Sequence, residues 1–124
     1  MKTIASLMLV TALAGALVYL KVAFAQDPLR VNPDSVRVKL ENNRVRVLES
    51  ILQPGGKEKM HSHPAYVVYV VKGGKIRLHN ADGKTSETEL KAGDVTFRDP
   101  ITHWGENVGT TEIDTILVEL KSHE

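Results

Sequence analysis

Two histidines separated by a single residue, in His61-Ser62-His63, are the side chains in this sequence best suited to chemistry. Alternate side chains of a β-strand point to the same face, so this spacing would direct both imidazoles to one side. A third histidine, His103, follows a turn and an expected strand that begin at Gly93. Histidine is the commonest protein ligand for metals. The pattern predicts one metal site made of His61, His63 and His103, and the alternative is three unrelated, solvated side chains.

The elements that must position these histidines are strands. Apolar and polar residues alternate with period two in residues 36–40, 45–47, 76–78 and 113–117. Turn-forming residues such as Gly73-Gly74 and Asp82-Gly83 separate these segments. No stretch after residue 30 carries a sustained helical periodicity. The sequence therefore predicts an all-β domain of about eight to ten short strands, arranged as a sandwich, a barrel or a jelly roll.

The first 25 residues differ from the rest of the chain. A basic start at Lys2 is followed by an apolar run over residues 4–20 and by the small residues of Ala23-Phe24-Ala25. This pattern is typical of a secretory signal peptide, with cleavage after Ala25 and a periplasmic or secreted product. The alternative is an uncleaved membrane anchor. We expect a signal peptide and its helix in residues 1–25, an N-terminal arm in residues 26–35 and the folded domain in residues 36–124.

Composition excludes several classes of protein. Hydrophobic residues make up 42% of the chain and charged residues 25%, as in ordinary soluble globular proteins. The net charge is +1 and the basic residues are scattered, so we expect no nucleic-acid partner and no membrane association after cleavage. The chain has no cysteine, which excludes disulfide bonds and lipid attachment through cysteine.

Two motifs around the histidines resemble those of the cupin superfamily. The first family motif reads G-x5-H-x-H-x3,4-E-x6-G and the second reads G-x5-P-x-G-x2-H-x3-N. The positions that match in spacing are Gly55, His61, His63 and Gly74 in the first motif and Gly93, His103 and Asn107 in the second. The second motif is one residue short between Gly93 and His103 and lacks its internal glycine. The resemblance covers about residues 48–118, and it implies a cupin-type double-stranded β-helix, or jelly-roll barrel, with one divalent metal.

One departure from the family pattern bears on the metal. The position of the family's glutamate falls on Val67, with Val68 beside it, so the resemblance leaves a site of three neutral imidazoles. Imidazole suits iron, zinc, copper and nickel, whereas manganese prefers oxygen ligands and is less favoured here. A divalent ion held by neutral ligands would keep its charge and favour an anionic or chelating molecule.

The strand parity of the family motif implies which other side chains line the site. It directs Val67, Tyr69, Val71, Val95 and Phe97 inward with the histidines and turns Trp104 outward. Tyr69 then becomes a candidate catalytic residue, as a hydrogen-bond donor or proton relay, and the alternative is a core aromatic. Metal-bound histidines usually donate their second ring N–H to an acceptor. The acids near enough in sequence to accept it are Glu49, Glu58, Asp99 and Glu106.

These observations favour a metal-dependent enzyme that acts on a small chelating or anionic molecule. The most specific form is a three-histidine iron(II) dioxygenase, since some cupin dioxygenases have such a triad. A redox-inert ion would instead support Lewis-acid isomerase or lyase chemistry. The alternative class is a non-catalytic periplasmic module that binds a metal or a small ligand. A homodimer is a further expectation, because a domain this small is marginal for enclosing a site alone.

Overall fold

The computed structural model describes residues 26–122. The predicted signal peptide and His123 lie outside the described residues. Within this range the chain forms one short helix and nine strands. The helix is α1 (Pro28–Val31), and the strands are β1 (Val36–Glu41), β2 (Val45–Leu52), β3 (His61–His63), β4 (Tyr66–Lys72), β5 (Gly74–Asn80), β6 (Thr85–Leu90), β7 (Val95–Arg98), β8 (Ile101–Asn107) and β9 (Ile113–Leu120).

The strands form two antiparallel sheets. The five-stranded sheet has the order β1-β2-β9-β4-β7, and the four-stranded sheet has the order β3-β8-β5-β6. Neighbours in these sheets are mostly far apart in sequence, as in the pairing of β2 with β9 and of β3 with β8. Residues of both sheets line one cavity, so the functional space of the molecule lies between them.

The predicted all-β fold is confirmed, and the alternating segments recognised in the sequence all lie within strands. Alternation matches burial most clearly in β8, where His103, Gly105 and Asn107 are buried and the residues between them are more exposed. The turns also follow local chemistry, since Gly55 and Gly93 adopt positive φ angles of 77° and 92°. Residues with a Cβ rarely adopt such angles, which explains glycine at these two positions.

Residues 26–35 lie against the domain and contain one turn of helix that the sequence periodicity does not reveal. Asp27 caps α1 by accepting a hydrogen bond from the backbone N–H of Leu29 at 3.0 Å, and Pro28 occupies the first helical turn. Both residues suit a helix start. Asp27 also forms a 2.7 Å ion pair with Arg46 on β2. Among residues 26–122 there is no helix long and apolar enough to cross a membrane.

The apolar core is small and lies beside the cavity. Val36, Leu48, Tyr66 and Leu117 form a buried cluster, and Leu48 has no exposed surface. Leu29 of the helix and Ile101 of β8 pack against this cluster. The core thus joins the five-stranded sheet to the helix and to the strand that carries His103.

Candidate metal centre

The pairing of β3 with β8 brings the three histidines together. His61 lies directly opposite His103 across this pair, and His63 follows on the same face of β3. The ring centroids are 4.8 to 5.3 Å apart, and one nitrogen of each ring lies within 4.8 Å of the other two. Ligands of a single ion at metal distances near 2.1 Å lie about 3 to 4.2 Å apart. The cluster can therefore hold a metal ion after a small adjustment of the side chains.

The segment before β3 orients His61. Nδ1 of His61 lies 2.8 Å from the carbonyl oxygen of Lys59, which can only accept, and 3.3 Å from Nδ2 of Asn32, so the shorter contact favours the tautomer with the proton on Nδ1. Asn32 secures that segment, because its Oδ1 accepts from the N–H of Lys59 at 2.7 Å and its Nδ2 donates to the Lys59 carbonyl at 3.3 Å. Nε2 of His61 is therefore the nitrogen left free to bind a metal.

A buried ion pair orients His63. Nδ1 of His63 donates to Oε1 of Glu119 at 2.8 Å, and the Nε atom of Arg46 donates to Oε2 of Glu119 at 2.8 Å. Burial alone would raise the pKa of Glu119, but the hydrogen bonds from His63 and Arg46 and the charge of Arg46 lower it overall. Glu119 is thus ionised at neutral pH, and Nε2 of His63 is free to bind a metal.

His103 provides a direct test of the fit. Its Nδ1 atom is buried and has no hydrogen-bond partner among the described residues. Burial, the neighbouring histidines and Arg98 lower the pKa of His103 to about 3, so the ring is neutral at physiological pH. Neutral imidazoles are the form that binds metals, and a buried nitrogen without a partner is costly unless a ligand satisfies it. The donor set therefore fits a transition metal.

The partners of the histidines differ from those expected from the sequence. Glu49, Asp99 and Glu106 do not contact the three rings, and the acceptors are the Lys59 carbonyl and Glu119. Glu119 was missed because it lies on β9, and only the sheet brings that strand beside β2 and β4. Glu58 does approach the site, with Oε2 at 4.0 Å from Nε2 of His61, which is the free nitrogen of that ring.

The placement expected for Tyr69 is wrong. Tyr69 is 45% exposed and does not line the cavity, and Val71, Val95 and Phe97 are likewise exposed. Val67 pairs with Phe97 and is also absent from the cavity wall. The expected inward positions were wrong because the chain leaves the four-stranded sheet after His63 and enters the other sheet at Tyr66. The inward and outward alternation of side chains therefore begins anew at Tyr66. The residues of β4 that line the cavity are Tyr66 and Val68.

Tyr66 and Arg98 are among the cavity residues that the sequence did not reveal. The ring of Tyr66 stacks on that of His63, with centroids 4.5 Å apart, and Tyr66 is only 3% exposed. Tyr66 is paired with Glu119 on one side and with Arg98 on the other. Arg98 lines the cavity and forms no ion pair within residues 26–122. One row of the five-stranded sheet thus contains Glu119, Tyr66 and Arg98, of which Tyr66 and Arg98 line the cavity.

Two other residues from the sequence analysis have structural roles. Trp104 lies on the outer face of β8 and stacks on His79, with ring centroids 3.7 Å apart. Asn107, the asparagine of the second motif, is 1% exposed and donates to the carbonyls of Leu52 and Thr111 at 2.9 and 2.8 Å. Asn107 therefore joins the end of β8 to the neighbouring connections.

Comparison with known proteins agrees with this fold and site. The model of the cupin domain family matches residues 48–119, which is more than half of the chain. The chain therefore belongs to the cupin domain family, and the resemblance inferred from the two motifs is confirmed. Its two antiparallel sheets are those of a cupin-type double-stranded β-helix. No match is found among curated proteins.

Several solved structures are similar. A cupin domain from Bordetella pertussis Tohama I is 29% identical, with a TM-score of 0.65, and the match covers 70% of this chain and 92% of that one. A protein with a double-stranded β-helix domain from Klebsiella pneumoniae is 26% identical over 74% of this chain and 88% of its own, with a TM-score of 0.57. A predicted oxalate decarboxylase from Thermotoga maritima is 26% identical over 68% and 78%, with a TM-score of 0.50.

Proposed function

We propose that this protein is a metal-dependent enzyme that acts on a small, chelating carboxylate. The observation that carries the proposal is the cavity between the sheets, which is lined by the three-histidine cluster and by Arg98, an exposed arginine that forms no ion pair within residues 26–122. Histidines would hold the metal, and the arginine would hold the negative charge of the substrate. The two groups together favour a ligand that is both anionic and able to coordinate a metal.

The size of the cavity limits the substrate. Its volume is about 180 Å³. A cavity of about 150 Å³ in another protein admits benzene, so the space here suits a molecule of roughly six to eight non-hydrogen atoms. Much of the wall is aliphatic, including Leu52, Val68, Ile76 and Leu117. In an apolar wall of this kind, the few polar groups fix the orientation of a small ligand.

Arg98 gives the cavity its preference for anions. Arg98 lies opposite Tyr66 in the pairing of β4 with β7 and lines the same cavity as His103. Arginine binds carboxylates through two parallel hydrogen bonds, and an arginine without an internal partner is available to do so. Arg98 would therefore position the carboxylate beside the histidines.

Tyr66 takes the role that the sequence suggested for Tyr69. Burial raises the pKa of the Tyr66 phenol to about 12, so the hydroxyl keeps its proton at neutral pH. A protonated phenol in the cavity can donate a hydrogen bond to a bound ligand. Because its ring stacks on His63, the tyrosine is held in a single position beside the metal cluster.

The identity of the metal decides the reaction class. Bound iron(II) would supply redox chemistry with dioxygen, whereas zinc would act as a Lewis acid. Since some cupin dioxygenases have a triad of this kind, the iron-dependent oxygenase is the specific form of this proposal. The similarity to a predicted oxalate decarboxylase supports a small carboxylate as substrate, since oxalate is a chelating dicarboxylate that the cavity could enclose.

A screen of metals and carboxylates tests the proposal. The purified protein would be loaded separately with iron(II), manganese(II) and zinc(II) and supplied with oxalate, malonate, pyruvate and 2-oxoglutarate, while dissolved oxygen and carbon dioxide are monitored. We expect turnover with at least one pair, and oxygen consumption with iron would identify an oxygenase. Arg98→Met should raise KM by at least about tenfold, whereas Arg37→Met, on the exposed strand β1, should leave it unchanged. Carboxylate binding without turnover would support a non-catalytic module instead.

A further inference from the structure

A fourth polar side chain reaches the histidine cluster from the connection between β2 and β3. The carboxylate of Glu58 lines the cavity, and the side chain is only 12% exposed. Its Oε2 atom lies 4.0 Å from Nε2 of His61, the nitrogen that is free to bind a metal. Two ligand atoms that are each about 2.1 Å from one ion can be at most about 4.2 Å apart. The pair of Glu58 and His61 meets this limit, whereas the histidine nitrogens form their group within 4.8 Å without Glu58, so its carboxylate would move closer to His63 and His103 to share one ion.

The surrounding strands hold this carboxylate in place. The N–H of Gly105 donates to Oε2 at 2.9 Å, and the hydroxyl of Ser50 donates to Oε1 at 3.3 Å. Gly105 follows His103 by two residues on β8 and faces the same interior. A Cβ atom at this position would lie 2.9 Å from Oε2 of Glu58. The glycine thus leaves room for the carboxylate next to the third histidine.

Within residues 26–122, no lysine or arginine forms an ion pair with Glu58. Among residues 26–122, the only basic group within ion-pair distance is the imidazole of His61. An imidazole that binds a metal is neutral and brings no positive charge. Burying a carboxylate without a cation is costly, and a divalent ion held by the histidines would offset that cost.

We propose that Glu58 is a fourth, anionic ligand of the metal held by His61, His63 and His103. The inference rests on the three-histidine site of the proposed function. The position of the family's motif glutamate is Val67, which lies outside the cavity wall, so Glu58 supplies a carboxylate from a different segment. A carboxylate in the ligand set suits manganese and iron(II) better than imidazoles alone. The metal preference expected from three neutral ligands then shifts towards these ions.

Metal affinity tests this proposal without reference to catalysis. Dissociation constants for Mn²⁺ and Zn²⁺ would be measured by competition with a chelator for the wild type, Glu58→Gln and Glu106→Gln. Glu106 is a matched control, because this residue of β8 has 16% of its side chain exposed and contacts His79 of β5 at 3.3 Å, away from the cavity wall. We expect Glu58→Gln to weaken Mn²⁺ binding by at least about tenfold, and by clearly more than Zn²⁺ binding. Glu106→Gln should bind both ions like the wild type.

The other possible results separate failure of the Glu58 proposal from failure of the metal site itself. Unchanged affinity in Glu58→Gln, or an equal loss for both ions, would overturn the proposal. A wild type that binds neither ion would remove the three-histidine site itself, and the proposed function with it. If Glu58→Gln does not fold, a crystal structure of the Mn²⁺-loaded wild type decides the matter. A Glu58 oxygen about 2.2 Å from the ion would support the proposal, and a separation beyond about 3 Å would overturn it.

Discussion

Nδ1 of His63 donates a 2.8 Å hydrogen bond to Oε1 of Glu119, a residue 56 positions further along the chain. The other carboxylate oxygen of Glu119 accepts from Arg46, which in turn pairs with Asp27 at the start of α1. A continuous chain of charged groups therefore links the N-terminal arm to a candidate metal ligand. Such partners fix the orientation and the tautomer of a ligating imidazole.

We predict that Glu119→Gln weakens metal binding by about 10- to 100-fold, because the amide is a weaker acceptor for His63 and no longer balances Arg46. Competition titration with a chelator measures this loss. Glu112→Gln serves as the control, since Glu112 pairs with Lys72 on the surface. Equal affinities for the two variants would show that Glu119 has no influence on the site.

We predict that the wild type binds one metal ion per chain and that His61→Ala, His63→Ala and His103→Ala each lose it. Each substitution removes one of three ligands that lie within 4.8 Å of one another. Elemental mass spectrometry of the purified proteins, without affinity-tag histidines, measures the metal content per chain. His79→Ala should keep its metal, because His79 stacks on Trp104 outside the cavity. Retention of metal by all three variants would contradict the site.

The stability of the metal-free protein should fall on acidification. Burial lowers the pKa of His61, and that of His103 falls to about 3. Below about pH 6.5 the unfolded chain binds protons at these histidines while the folded chain does not, so stability present at neutral pH is lost as the pH falls. His103 alone would account for about 2 kcal/mol between pH 7.5 and 5.

Urea unfolding at a series of pH values, with a chelator present, measures this dependence on acidity. His103→Gln carries no titratable ring at that position, so its free energy of unfolding should decline less steeply than that of the wild type. Parallel pH profiles for the two proteins would be inconsistent with a depressed pKa at His103.

We predict that Asn107→Ala lowers the free energy of unfolding by about 3 kcal/mol, because the carbonyls of Leu52 and Thr111 lose their hydrogen-bond donor. The N–H of Gly109 also loses its acceptor, the Oδ1 of Asn107 at 3.1 Å. Urea denaturation provides the measurement, and Asn43→Ala at an exposed turn provides the control. A loss below about 1 kcal/mol would show that the motif asparagine contributes little to the fold.

The strands and the metal cluster could be predicted because they depend on local patterns. Alternation in residues 36–40 and 113–117 indicates strands, and the His-x-His spacing determines a shared face on any strand. The two motifs then linked His103 to this pair by resemblance. The helix turn at Pro28–Val31 was missed because four residues are too few to show a periodicity.

The sequence by itself determined the all-β class, the cupin resemblance and the three residues of the candidate metal centre. The tertiary structure alone decided which side chains surround them. Glu119 and Arg98 reach the site through pairing between strands distant in the sequence, which no local pattern encodes. The change of sheet between His63 and Tyr66 reset the alternation and placed Tyr66, rather than Tyr69, in the cavity. Side-chain parity holds only within a continuous strand, and here the chain leaves that strand beside the site.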